Sequence, residues 1–128
     1  MALAALKYGD LSNQAAKDYI FDIDRFTSFE GDTGPYILYT MVRIKSILGK
    51  FAEQGTHSID DCTMMAPAGK AEKDLMMQLA GFGAMMEGAY EELAPHRVCA
   101  YIYQLSNAFN SFYHSTRILS EENAEQKE

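Results

Sequence analysis

The chain has 128 residues, 48% of them apolar and 12% aromatic, and a formal net charge of -7 from 11 basic and 18 acidic side chains. That length and apolar content fit a single domain with its own core and exclude a disordered chain. The acidity excludes broad, non-specific attraction to nucleic acid, so any such contact must be local and shaped.

Leu3–Lys7 has helical composition but no preceding cap, and Gly9 is expected to end it, so residues 1–12 read as the end of a preceding helix or linker. From Ser12, SNQAAKDYIF can form a short helix before straightening where Tyr19, Phe21 and Ile23 alternate. Asp22 is a suitable N-cap for IDRFTSFE, and Gly31 a suitable stop. Asp32 or Thr33 then caps a longer helix with Pro35 in its first turn, where a missing N–H costs nothing. That helix should run to about Glu53. Its apolar residues Ile37, Met41, Ile44, Leu48 and Phe51, spaced 4, 3, 4, 3, predict one buried face.

Gln54–Lys70 is punctuated by Gly, Pro, Asp and Thr and reads as a surface loop. A second long helical pattern starts near Ala71, with Leu75, Leu79, Phe82, Met86 and Leu93 as its expected core stripe and a kink at Gly81 and Gly83. Pro95 opens a third, in which Val98, Ile102, Leu105, Phe109 and Phe112 repeat the 4, 3, 4, 3 spacing, ending near Ile118–Leu119. Residues 121–128 are an acidic, almost wholly polar tail. The whole predicts one all-α helical bundle.

No apolar run approaches the roughly 20 residues of a membrane span, and the first residues lack the pattern of a signal peptide. Cys62 and Cys99 form no CxxC pair and fit free thiols in a reducing compartment, so a cytoplasmic location and no membrane partner are expected. His57, His96 and His114 are dispersed. The cluster His57, Asp60, Asp61 and Cys62 holds metal-ligand residue types, but it lies in a polar loop, where such residues are ordinarily solvated. There is no phosphate-binding glycine loop and no nucleophile elbow. No catalytic, cofactor-binding or metal-binding residue is therefore assigned.

The reverse faces of two helices carry more chemistry. Tyr39, Arg43, Ser46 and Lys50 are spaced 4, 3, 4 and fall together opposite the predicted core stripe. Ser106, Asn110, Tyr113 and Arg117 repeat that spacing on the last helix, with His114 adjacent. A tyrosine can stack on an unpaired base, and Arg or Lys can hold a phosphate. The competing reading is plain: tyrosines pack at core edges, and cations opposite a core stripe form an ordinary solvated face.

A resemblance shifts that balance. Tyr8–Ser12 (Y-x-D-L-S), Asp18–Arg25 (D-Y-x-F-D-x-D-R), Phe29–Tyr39 (F-x-G-D-T-x-P-Y-x-x-Y) and Arg43–Ile47 (R-x-x-S-I) follow one another, and Pro95–Tyr113 fits P-H-x4-Y-x3-L-x3-F-x2-F-Y. In this order, over nearly the whole chain, they resemble the C-terminal anticodon-binding domain of arginyl-tRNA synthetases. The resemblance implies a helical bundle of the class I, DALR type. It implies the anticodon loop of tRNA-Arg and a catalytic domain of the same polypeptide as partners. ATP and Mg would belong to that catalytic domain, with no cofactor here. Tyr39 and Tyr113 match the family's anticodon-contacting tyrosines. Arg43, Lys50, Asn110 and Arg117 are expected beside them. Asp32 departs from the family's usual Asn. The HIGH and KMSKS-type catalytic signatures are missing, as is the family's final helical segment, which leads to the expectation of a domain fragment that self-associates through bared apolar surface. The alternative reading is a helical protein–protein interaction module without RNA function, which suits the acidity.

Overall fold

A computed structural model describes residues 1–54, 63–116 and 118. His57, Asp60, Asp61, Cys62, Arg117, Leu119 and the tail 121–128 lie outside those residues. Six helices follow in order: α1 (Ala2–Leu11), α2 (Ile23–Thr27), α3 (Gly34–Glu53), α4 (Lys70–Ala80), α5 (Phe82–Glu91) and α6 (Pro95–Ser115). No strand occurs among the described residues. α6 touches α1, α3, α4 and α5, and α1 also packs on α2 and α3. The last helix is thus the spine on which an N-terminal trio and the α4–α5 pair are assembled.

Local chemistry explains most helix starts. The Asp22 carboxylate accepts from the Arg25 backbone N–H at 3.2 Å, capping α2. Thr33 Oγ1 accepts from the Tyr36 N–H at 3.2 Å, so Thr33 rather than Asp32 caps α3, with Pro35 inside the first turn. Asp32 instead faces α1, where its Oδ1 lies 2.5 Å from the Tyr8 hydroxyl; that hydroxyl is also 2.9 Å from the Cys99 carbonyl oxygen. One phenol therefore ties α1 to the start of α3 and to α6. Burial and the Asp32 carboxylate both push the Tyr8 phenol well above the usual tyrosine range.

Several expectations are corrected. Gly9 does not end α1, which continues to Leu11; the glycine is needed because the Phe26 ring lies where a Cβ would stand, 2.5 Å from that position. No helix forms from Ser12; α2 ends at Thr27, and Gly31 (φ +80°) serves the turn before α3. The α3 stripe is only partly buried: Phe51 is buried and Ile37 and Ile44 half-buried, while Met41 and Leu48 are exposed. The α4–α5 stripe fails more completely. Leu75 is half-buried, but Leu79, Phe82, Met86 and Leu93 are exposed. The helix is interrupted for one residue at Gly81, where a kink is expected, and one continuous periodicity no longer maps onto one face. What docks these helices on α6 is Ala89, which is buried, and the Tyr101 hydroxyl, which donates to the Gln78 carbonyl at 2.6 Å. α6 stops at Ser115 because Thr116 is extended, short of the expected Ile118–Leu119.

α1 and α3 approach closely at Gly34, where an added Cβ would sit 2.2 Å from the Ala4 carbonyl oxygen, a backbone atom that cannot turn aside. Gly34→Ala is expected to destabilise the fold by about 1–3 kcal/mol or more. Gly49→Ala, within α3 and with open space around it, should stabilise by about 0.5–1 kcal/mol. Urea unfolding of both variants checks the opposite signs.

The Tyr8 phenol gives a pH dependence. A tyrosine raised in the folded state keeps its proton where the unfolded chain has lost it, so its contribution is intact below about pH 10 and falls away above it. Burial raises the Cys99 thiol as well, with the same sign. Unfolding free energies measured from pH 8 to 11 should decline, and Tyr8→Phe should start lower but decline less steeply.

Candidate nucleic-acid interface

Tyr39 and Arg43 are one turn apart on α3, so their side chains meet. Arg43 Nη2 donates to the Tyr39 hydroxyl at 2.7 Å, and Arg43 Cζ lies 4.7 Å from the Tyr39 ring centroid. From the opposite wall, α6 supplies Tyr113, whose ring centroid is 4.6 Å from the same Cζ. The guanidinium lies within cation–π range of both tyrosine rings. The rings remain open to solvent, Tyr39 at 47% and Tyr113 at 37% exposure. Phe109 stacks on Tyr113 at 6.2 Å, and His114 meets it edge-on at 5.8 Å.

Tyr39, Arg43 and Tyr113 line an open cleft of about 590 Å³ between α3 and the end of α6. Lys50, Ser46 and His114 line it too, together with Val42, Ile47, Thr116 and Ile118. The cleft therefore offers two aromatic rings, two cations and hydroxyls among apolar side chains. That combination suits a flexible anion bearing planar groups, which is what unpaired nucleotides are. Among the described residues, no three His, Cys, Asp or Glu side chains are grouped to hold a metal ion.

Beneath the cleft lies a polar seam. Arg43 Nη1 donates to Asn110 Oδ1 at 2.5 Å. Asn110 Nδ2 is 3.0 Å from the Tyr36 hydroxyl and 3.0 Å from Thr40 Oγ1. The Tyr36 hydroxyl donates to Asn107 Oδ1 at 2.7 Å. Asn110 is 8% exposed, and Ser106 and Thr40 are buried as well.

The six expected site residues thus divide. Tyr39, Arg43, Lys50 and Tyr113 line one cleft. Asn110 lies behind it as the buried acceptor for Arg43, and Arg117 is outside the described residues. The expectation that Ser106 and Asn110 belong to an outward polar face is corrected: that face of α6 packs on α3. Arg43 is half-buried for the same reason. The supporting residues Thr40 and Asn107 escaped the sequence reading, and Tyr36 entered it only through the P-Y-x-x-Y motif. A signal existed, since Tyr36, Thr40, Arg43 and Ile47 repeat the 4, 3, 4 spacing on their own.

Residues 37–128 match the family described as DALR anticodon binding domain. The chain belongs to that family. Its curated relatives include the arginine–tRNA ligase of Agathobacter rectalis, 66% identical over 129 residues that cover 99% of this chain and 21% of the relative. That of Alkaliphilus oremlandii is 54% identical over 127 residues, covering 99% of this chain and 21% of the relative. The chain spans about a fifth of the length of these relatives. The DALR domain also superposes on solved structures. Thermus thermophilus arginyl-tRNA synthetase gives a TM-score of 0.80 at 28% identity, covering 98% of this chain and 22% of the other. The Plasmodium falciparum enzyme gives 0.79 at 26% identity, covering 98% and 22%. The all-α bundle of the anticodon-binding type is the fold of this DALR domain. Among its described residues no helix is long and apolar enough to cross a membrane.

Proposed function

We infer that this chain is the anticodon-loop-binding domain of an arginine–tRNA ligase, and that the α3–α6 cleft receives unpaired nucleotides of tRNA-Arg. One observation carries the reading: Tyr39 and Tyr113, from two different helices, both lie against the Arg43 guanidinium in a single open cleft. The exposed part of each ring, larger for Tyr39 than for Tyr113, offers aromatic surface to a base, and the held cation lies where a backbone phosphate would pass. Lys50 adds a second cation along the same wall. The choice of arginine tRNA is supported by the arginine–tRNA ligases that match almost the whole chain. On this reading, ATP-dependent arginylation, with its ATP and Mg, belongs to a catalytic domain of the same polypeptide, and the enzyme works in the cytoplasm.

The test is titration with tRNA-Arg and with an anticodon-swapped tRNA, using the full-length enzyme. Preference for the cognate anticodon is expected, and equal affinity would overturn the reading. Tyr39→Ala and Tyr113→Ala should each weaken binding by about 1–3 kcal/mol, seen as a raised apparent Michaelis constant for tRNA. Unchanged tRNA kinetics in both variants would remove the two tyrosines from the interface.

Self-association is a further part of the proposal. Leu3, Leu6, Ile20 and Ile23 are all more than half exposed near the N-terminus, and such apolar surface favours association. Sedimentation at rising concentration should show dimers or larger species; a monomer throughout would refute it.

A further inference from the structure

The Arg43 guanidinium is tied to α6 by one oxygen, Asn110 Oδ1, beside the Tyr39 hydroxyl of its own helix, and which atom of Asn110 presents itself there is decided elsewhere. An asparagine amide has one acceptor end and one donor end, and only the acceptor end can receive Arg43. The Tyr36 hydroxyl owns one proton, and Asn107 Oδ1 accepts it at 2.7 Å. Towards Asn110, that hydroxyl can then only accept, and it does so from Nδ2 at 3.0 Å. Thr40 Oγ1 is placed alike: it donates to the Tyr36 carbonyl at 3.2 Å and accepts from Asn110 Nδ2 at 3.0 Å. Both donors of the Asn110 amide are thereby committed, and its oxygen must point at Arg43. The chain of obligation starts at Asn107, a half-buried residue that does not line the cleft.

We propose that Asn107 is a positioning residue for the cleft, acting through the Tyr36 hydroxyl and the Asn110 amide to hold Arg43 against Tyr39 and Tyr113. Without an acceptor at position 107, the Tyr36 proton turns to Asn110. Nothing then commits the Tyr36 hydroxyl to accepting from Nδ2, and the Asn110 amide is no longer held to a single orientation. Arg43 loses its fixed tie to α6, keeping only the Tyr39 hydroxyl on its own helix, and with that tie goes the fixed spacing of the two rings. The contribution to RNA binding rests on the function proposed above; the hold on Arg43 does not.

The test replaces Asn107 by Leu, which keeps the volume, by Ala, which does not, and by Asp, which offers only acceptors. Arginine side-chain signals are recorded on the 15N-labelled protein in the cold, where a clamped guanidinium shows resolved, slowly exchanging Nη hydrogens. Wild type and Asn107→Asp should show them for Arg43; Asn107→Leu and Asn107→Ala should lose them while amide spectra and unfolding midpoints still report a folded bundle. Affinity for a tRNA-Arg anticodon stem–loop should fall roughly tenfold in the two lesions, the order of one hydrogen bond to a charged group, and return in the Asp variant. Retained Arg43 signals in both lesions would overturn the relay, and so would an Asp variant that behaves like Leu. Should only one lesion fold, that one decides. Wild-type failure to bind the stem–loop, with the Arg43 signals behaving as described, would sink the anticodon reading and leave the relay standing.

Discussion

Helices α3 and α6 meet across a polar seam, and the buried Asn110 amide is the group on which that seam turns. It touches three side chains of α3: Tyr36, Thr40 and Arg43. An apolar contact of the same area would tolerate sliding by a residue or rotation by a few tens of degrees, because dispersion and burial are non-directional. Hydrogen bonds to a buried amide are not so forgiving. A displaced α3 would leave the Asn110 donors or the Arg43 guanidinium without partners, at about 1–3 kcal/mol for each unsatisfied group and more for the charged one. No buried side-chain nitrogen or oxygen among the described residues lacks a partner. The seam therefore fixes register, and register fixes where Tyr39 stands opposite Tyr113.

The rest of the bundle supports that crossing from both sides. At one end Gly34 lets the start of α3 lie against the α1 backbone at Ala4, and the Tyr8 hydroxyl bridges Asp32 and the Cys99 carbonyl. α1 is thereby a brace that locks the first turn of α3 onto α6. On the other flank, α4 and α5 hold α6 through Tyr101 and Ala89. The cleft opens at the far end of α3 and α6, away from the brace. The arrangement keeps the helix axes fixed while the tyrosine rings at the open end remain accessible.

How far this was legible in the sequence depends on what each residue signals. Caps and prolines act over three or four residues, so Asp22, Thr33, Pro35 and Pro95 placed their helix starts well. Tyr39 and Arg43 were legible as neighbours because i and i+4 meet on any helix. Buried sides were not, because periodicity assigns the apolar stripe to the core and the polar stripe to solvent. In α6 that rule put Ser106 and Asn110 outside, when both are inside. A buried polar stripe and a solvated one look alike until the partner helix is known, and here the partner is 67 to 74 residues away in sequence. Gly9 misled for a related reason: a glycine that makes room for a ring and a glycine that ends a helix carry the same letter.

The net charge of -7 and a cleft for a polyanion are compatible once distance is considered. At physiological ionic strength, charges more than about 8 Å away through solvent are largely screened, so a ligand in the cleft senses Arg43 and Lys50 more than the distant acidic surface. The two cations differ in kind. Lys50 is exposed and would have to be immobilised by whatever it binds, losing rotamer freedom on the order of 0.5–1.5 kcal/mol. Arg43 has been immobilised by folding, with two of its N–H groups committed to Asn110 and Tyr39 and two aromatic rings within cation–π range. The remaining guanidinium donors are already oriented when a phosphate arrives, and a bound nucleotide meets rings whose spacing is set. An acidic domain can in this way obtain local affinity from preorganised geometry instead of from an excess of charge.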